Sequence, residues 1–98
     1  MNVTEVKKIL AEKRDFLRER FHVMDVGIFG SFIKGEETDA SDIDILVTFE
    51  RGHKDFFNYM RMKNYLEELI GLEVDLVIKD AVKPGLRDKI FREVEYVR

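Results

Sequence analysis

Three aspartates and a glycine–serine pair are the residues of this chain whose types and spacing point to chemistry. Asp42 and Asp44 stand two apart in Ser41-Asp42-Ile43-Asp44-Ile45-Leu46-Val47, a segment rich in β-branched residues. On a strand, such residues project from one face, about 6–7 Å apart along the chain. Ile43 and Ile45 then point into the opposite, apolar layer. Asp75 repeats the pattern between Val74 and Leu76. If the two strands are neighbours, three carboxylates converge. Two such charges ~5 Å apart repel by about 3 kcal/mol at an effective dielectric near 20. A fold tolerates that cost when cations occupy the gap. Hard oxygen donors, with substrate phosphates completing the shell, suit Mg2+. Two such ions about 3.5–4 Å apart clamp the attacking and leaving oxygens of a displacement at phosphorus.

Gly30 and Ser31 supply the other half. They follow an apolar run and precede a short turn. Gly30 lets backbone approach a phosphate, and the Ser31 hydroxyl and nearby N–H groups can donate to it. Lys34 can reach the outer phosphates as a mobile positive charge, and Gly35 lets the chain turn away. Each feature alone has a plainer reading. A Gly-Ser after a strand is usually a turn, an Asp-x-Asp is usually a solvated edge or a cap, and Asp75 can simply face solvent. Their combination at fixed spacing carries the chemical reading.

The elements that must position these residues follow from periodicity. Val6, Ile9, Leu10, Phe16, Leu17 and Phe21 share a face at helical spacing, which predicts one helix from about residue 3 to 21, with Asn2 and Glu5 as a capping box. Met24 to Phe29 reads as a short buried strand. The stretch from Lys34 to Asp42 is polar, with Gly35 and Thr38–Asp39 as turn residues. Ile43 to Phe49 is a second strand, ended by Arg51–Gly52. Asp55 caps a second long helix whose inner face holds Phe56, Met60, Leu66, Leu69 and Ile70, and Gly71 sits where a C-terminal glycine belongs. Val74 to Ile78 is a third strand. Pro84 opens a last helix in which Leu86, Ile90, Phe91, Val94 and Val97 repeat. The expected fold class is α/β (α+β): a small mixed β-sheet of three or more strands flanked by helices, with residues 1–98 forming a single domain.

The string GSFIKGEETDASDIDILV, with ten residues between Ser31 and Asp42, resembles the signature of the DNA polymerase β-like nucleotidyltransferase superfamily. It is most similar to the minimal (MNT) branch, often paired with HEPN proteins. The strand GLEVDLVIKD and the tail VKPGLRDKIFREVEYV also resemble that branch, so the likeness spans essentially the whole chain. One departure is Lys34, where the family commonly has Arg; the charge is kept and the planar fork is lost. The resemblance implies a polymerase β-like fold and roles residue by residue. Gly30 and Ser31 would cradle the triphosphate of ATP. Asp42 and Asp44 would bind two Mg2+ ions, and Asp75 would complete the catalytic triad and help to deprotonate the acceptor. Attack would be in line on the α-phosphate, releasing pyrophosphate. The resemblance further implies a HEPN-family toxin as partner, neutralised by transfer of AMP to a tyrosine, which would make this chain an antitoxin.

Bulk composition narrows the field. The 98 residues carry a net charge of −3, so no overall basic field draws the chain onto nucleic acid or anionic lipid. The absence of cysteine removes disulfides, thiolate metal sites and cysteine nucleophiles. No signal-peptide core or membrane span is legible, which predicts a cytoplasmic protein. His22 and His53, far apart in sequence, read as surface or helix-end residues rather than ligands. Arg87 and Lys89 read as a solvated helix face. Phe56, Phe57, Tyr59, Met60, Met62 and Tyr65 wrap more than one helix face, which predicts a contact surface and a homo- or hetero-oligomer. Tyr96 fits a core edge or an interface equally. With no acceptor-binding module expected in cis, two alternatives stay open: a nucleotide-binding subunit that acts sterically, or a transferase for a small molecule or RNA.

Overall fold

The computed structural model describes residues 1–36, 38 and 42–98. Asp39 of the expected Thr38–Asp39 turn, and Ser41 before the aspartate pair, lie outside the described residues. The first helical stretch is two helices, α1 (Val3–Glu12) and α2 (Arg14–Phe21), instead of the single one expected. Neither proline nor glycine marks the break. The Lys13 N–H is shared between the Ile9 and Leu10 carbonyls, each at 3.2 Å, so one tightened turn produces it. Val6, Leu10, Leu17 and Phe21 stay buried across the break. The Asn2 side chain caps α1 by accepting the Glu5 N–H.

Four strands form one mixed sheet in the order β3-β2-β1-β4. β1 (Val23–Phe29) runs antiparallel to β2 (Ile43–Phe49), which lies parallel to β3 (Val74–Ile78). These three strands occupy the segments expected of them. β4 (Glu95–Val97) was not expected. The last helix, α5 (Pro84–Glu93), stops short of Val97, and the tail pairs antiparallel with β1. Apolar residues at 90, 94 and 97 fit a helical repeat, yet Val94 is extended (ψ 135°) and the open edge of β1 takes the tail as a strand. Gly27 makes room for it. A Cβ there would lie 2.8 Å from Val94 Cγ2 and 3.1 Å from the Glu95 carbonyl oxygen.

Alternation along β2 divides the interior. Ile43, Ile45 and Val47 point into the main core with Leu10, Leu17, Met62 and Leu66. Leu46 points the other way, into a smaller cluster with Phe29 and Val82, edged by Ile90 and Tyr96. Asp44, one period before Leu46, therefore emerges on the face that α5 covers only in part.

The second long helix is α4 (Phe56–Ile70), capped by Asp55 and closed by Gly71 at φ 81°, as the sequence indicates. Its buried face matches the expected one at Leu66 and Ile70 and differs from it at the N-terminal half. Asn58, Met62, Leu66 and Ile70 face the core, while Phe56 is 69% and Phe57 71% exposed. The i, i+4 series that wins contains a polar residue, which an apolar count passes over. Asn58 Nδ2 donates to the Phe21 carbonyl at 2.8 Å and to the His53 carbonyl at 2.9 Å, tying α4 to the end of α2 and to the preceding loop. Asn58→Ala leaves two carbonyls short of a donor and is expected to cost about 1–3 kcal/mol. Urea unfolding checks this; an unchanged midpoint would contradict it.

His22 and His53, expected to be surface or helix-end residues far apart in sequence, stack at 3.5 Å between ring centroids. His22 closes α2 in the left-handed conformation, and its carbonyl accepts the Glu50 N–H at 2.7 Å. The pair lies at the start of β1 and beyond the end of β2, at the opposite end of the sheet from the aspartates.

Candidate functional site

The sheet register places the chemistry. Asp44 lies opposite Phe29 of β1 and level with Asp75 of β3. It therefore stands between the turn that follows β1 and the carboxylate on β3. That turn is Gly30, at φ 78° and ψ −148°, a backbone conformation open almost only to glycine. A Cβ on Gly30 would fall on the Asp44 carboxylate, its Oδ2 above all. The missing side chain is what lets Asp44 lie against the turn.

Ser31 opens the short helix α3 (Ser31–Lys34) and is half-buried. The turn is held from several sides. The Gly30 carbonyl accepts the N–H groups of Ile33 and Lys34 at 3.1 and 3.2 Å, and Phe32 is anchored in the core. The Ser31 carbonyl accepts the Glu36 N–H at 2.9 Å.

Asp44 carries the electrostatic strain of the site. Its pKa is raised from 3.8 to about 6, first by burial, then by the Asp75 charge and a hydrogen bond with Asp75, and then by the charges of Asp42 and Glu93. Asp75 and Asp42 are exposed. Asp42 precedes β2 directly and adjoins residues outside the described set. The structure thus brings Gly30, Asp44 and Asp75 together and puts the Asp42 charge within reach of Asp44. Among the described residues, however, no three acidic or histidine side chains stand as a ready set of metal ligands. The convergence of three carboxylates expected from the sequence is complete for Asp44 and Asp75 and open at Asp42.

The donor chemistry nonetheless fits a hard divalent cation. The groups around Asp44 are all carboxylates, and their mutual repulsion favours the protonated acid over the ion. A cation of high charge density relieves that repulsion. The nearby Lys34 does not supply it, since its Nζ lies 3.5 Å from Glu93 Oε2.

Glu93 is the site residue that sequence reasoning missed. Its Oε1 accepts the Gly30 N–H at 3.1 Å across 63 residues of sequence. Read as one charged residue on a helix running to Val97, it has no local signal. Only the turn from α5 into β4 aims it at the Gly30 loop. Arg87 is exposed and donates to the Val82 carbonyl at 3.3 Å; Lys89 is exposed.

The nucleotidyltransferase domain family model matches residues 10–97. A Thermococcus cleftensis protein described as protein adenylyltransferase MntA is 42% identical over 97 residues, covering 99% of this chain and 97% of that one. A solved structure described as a minimal nucleotidyltransferase is 35% identical with a TM-score of 0.80, covering 97% of this chain and 95% of its own. The fold also recurs, at 18% identity and a TM-score of 0.67, in a complex of a tri-AMPylated Shewanella oneidensis HEPN toxin with its MNT antitoxin. That match covers 94% of this chain and 71% of the other.

Proposed function

The chain belongs to the nucleotidyltransferase family, and from that premise we propose that it is a Mg2+-dependent protein adenylyltransferase that moves AMP from ATP onto a tyrosine of a HEPN-type toxin. One observation carries the reading: the register that sets Asp44 beside Asp75 and against the Gly30 turn. A phosphate-approachable backbone and a strained carboxylate pair then share one corner of the sheet. The relative described as a protein adenylyltransferase supports protein as the acceptor class. The complex of an AMPylated toxin with a chain of this fold supports the kind of partner. No helix among the described residues is long and apolar enough to cross a membrane.

In the proposed mechanism, the Gly30 turn admits the triphosphate, the Ser31 hydroxyl donates to a phosphate oxygen, and Lys34 neutralises the outer phosphates. Asp42, Asp44 and Asp75 would hold Mg2+, which supplies charge neutralisation at the α-phosphate and acidifies the acceptor hydroxyl. The tyrosine oxygen bonds to the α-phosphorus as the bond to the pyrophosphate oxygen breaks. Asp75, exposed on β3 beside Asp44, would take the hydroxyl proton.

The test is to incubate the chain with a HEPN partner, Mg2+ and ATP labelled at the α-phosphate. Label is expected on a partner tyrosine, and none with the Asp42→Ala/Asp44→Ala double variant or in EDTA. A double variant that still neutralises the toxin as well as wild type would show that the chain acts sterically and would end the catalytic account.

A further inference from the structure

Glu93 is a carboxylate in the nucleotide site that the transfer reaction does not use. It closes α5, and only 17% of its side chain is exposed. One oxygen accepts the Gly30 N–H and the other faces the Lys34 ammonium. These are two of the groups the site would offer to an incoming phosphate: a backbone donor in the glycine turn and a mobile cation. A carboxylate bridging a backbone N–H and an ammonium uses the same charge-assisted bonds that phosphate oxygens would form. Its charge is also felt at Asp44, so it deepens the negative field that any triphosphate must enter.

Building on the reading of this corner as a triphosphate site, we propose that Glu93 is an internal competitor for phosphate. In the nucleotide-free protein it holds Lys34 and the Gly30 turn, and it must release Lys34 before the triphosphate can bind. The site is thereby kept ordered when empty, and affinity for the free nucleotide is held down. The opposite role, a brace that improves binding by fixing the turn, predicts the reverse sign for the same substitutions.

ATP titrated calorimetrically into the full chain in EDTA separates the two. Glu93→Gln keeps an acceptor for the Gly30 N–H but removes the charge that occupies Lys34. It is expected to tighten ATP binding about three- to tenfold. Inorganic tripolyphosphate should show the same gain, because the competition is with phosphate and not with the base. In a Lys34→Met background the gain should shrink to the small part that the lost negative charge alone gives, since the cation that Glu93 sequesters is gone. Glu93→Ala, which also removes the Gly30 contact, should still bind ATP more tightly than wild type, even with a lowered melting temperature. Equal or weaker binding by Glu93→Gln, or a gain that is undiminished in the Lys34→Met background, overturns the competitor. If neither wild type nor Glu93→Gln binds ATP or tripolyphosphate, the triphosphate site itself is refuted, and Glu93's role falls with it.

Discussion

Asp44→Asn is expected to abolish nucleotidyl transfer, by about a thousandfold or more, while making the metal-free protein more stable. The catalytic loss follows from position. Asp44 lies between the Gly30 turn and Asp75, and a neutral amide cannot serve as the anionic oxygen donor that a hard cation requires there. A thousandfold corresponds to about 4 kcal/mol of transition-state stabilisation, the scale of one preorganised electrostatic contact. The stability gain follows from the same residue's surroundings. Its folded-state pKa of about 6 lies above the ordinary 3.8 of an aspartate, because burial and neighbouring carboxylates disfavour the ion. Below about pH 3.8 the acid is protonated in both states and costs nothing. As pH rises towards 6, the unfolded chain ionises while the folded one resists, and stability falls. Above that range the penalty is complete, at about 1–2 kcal/mol once the partial exposure of the group is allowed for.

Thermal melts in EDTA should therefore show Asp44→Asn several degrees above wild type at pH 7.5, with the gap closing near pH 4. Added Mg2+ with ATP should raise the melting temperature of wild type by more than ATP in EDTA does, and the variant should lack that metal-dependent increment. A variant that melts below wild type at pH 7.5 would mean that Asp44 is a structural residue, and the strain argument would fail. Such a trade, stability given up where charge is concentrated for chemistry, is a common mark of functional sites.

Gly30→Ala should be the most damaging of the glycine-to-alanine changes. Two costs coincide there. The backbone conformation, φ 78° and ψ −148°, costs a residue with a Cβ about 1–3 kcal/mol. The methyl would also land on the Asp44 carboxylate, so either the turn or Asp44 must move. Displacing a catalytic group by ~1 Å is worth about a hundredfold in rate. Transfer activity should accordingly fall by about a hundredfold or more even in samples that remain folded by circular dichroism. Gly35→Ala provides the control. Gly35 also has a positive φ, 69°, but nothing lies within 4 Å of a Cβ placed on it. That variant should lose only about 1 kcal/mol of stability, for the left-handed backbone, and largely keep its activity. Equal losses in the two variants would show that backbone strain, and not the contact with Asp44, sets the cost.

The candidate site residues on β2 and β3, and the strands themselves, were legible in the sequence. Asp44 stands between Ile43 and Ile45, and that period of two turns its carboxylate to the face opposite them, whereas Asp42 precedes β2 and is not fixed by the alternation. Asp55 and Gly71 bracket α4 because caps are local chemistry, read within three or four residues. What the sequence could not reveal depends on contacts between distant segments. The tail became β4 because β1 had a free edge and Gly27 left space beside it. α4 buried the face containing Asn58 because two carbonyls, one of them 37 residues away, were waiting for its amide. His22 met His53 because a left-handed residue ends α2 where β2 ends alongside. Glu93 reached the Gly30 turn because α5 stops where it does. Local propensity acts over a few residues and determined which atoms could do chemistry. The choice of partner for each buried or edge-strand polar group is settled only when the whole sheet closes, and that decided which of those atoms meet.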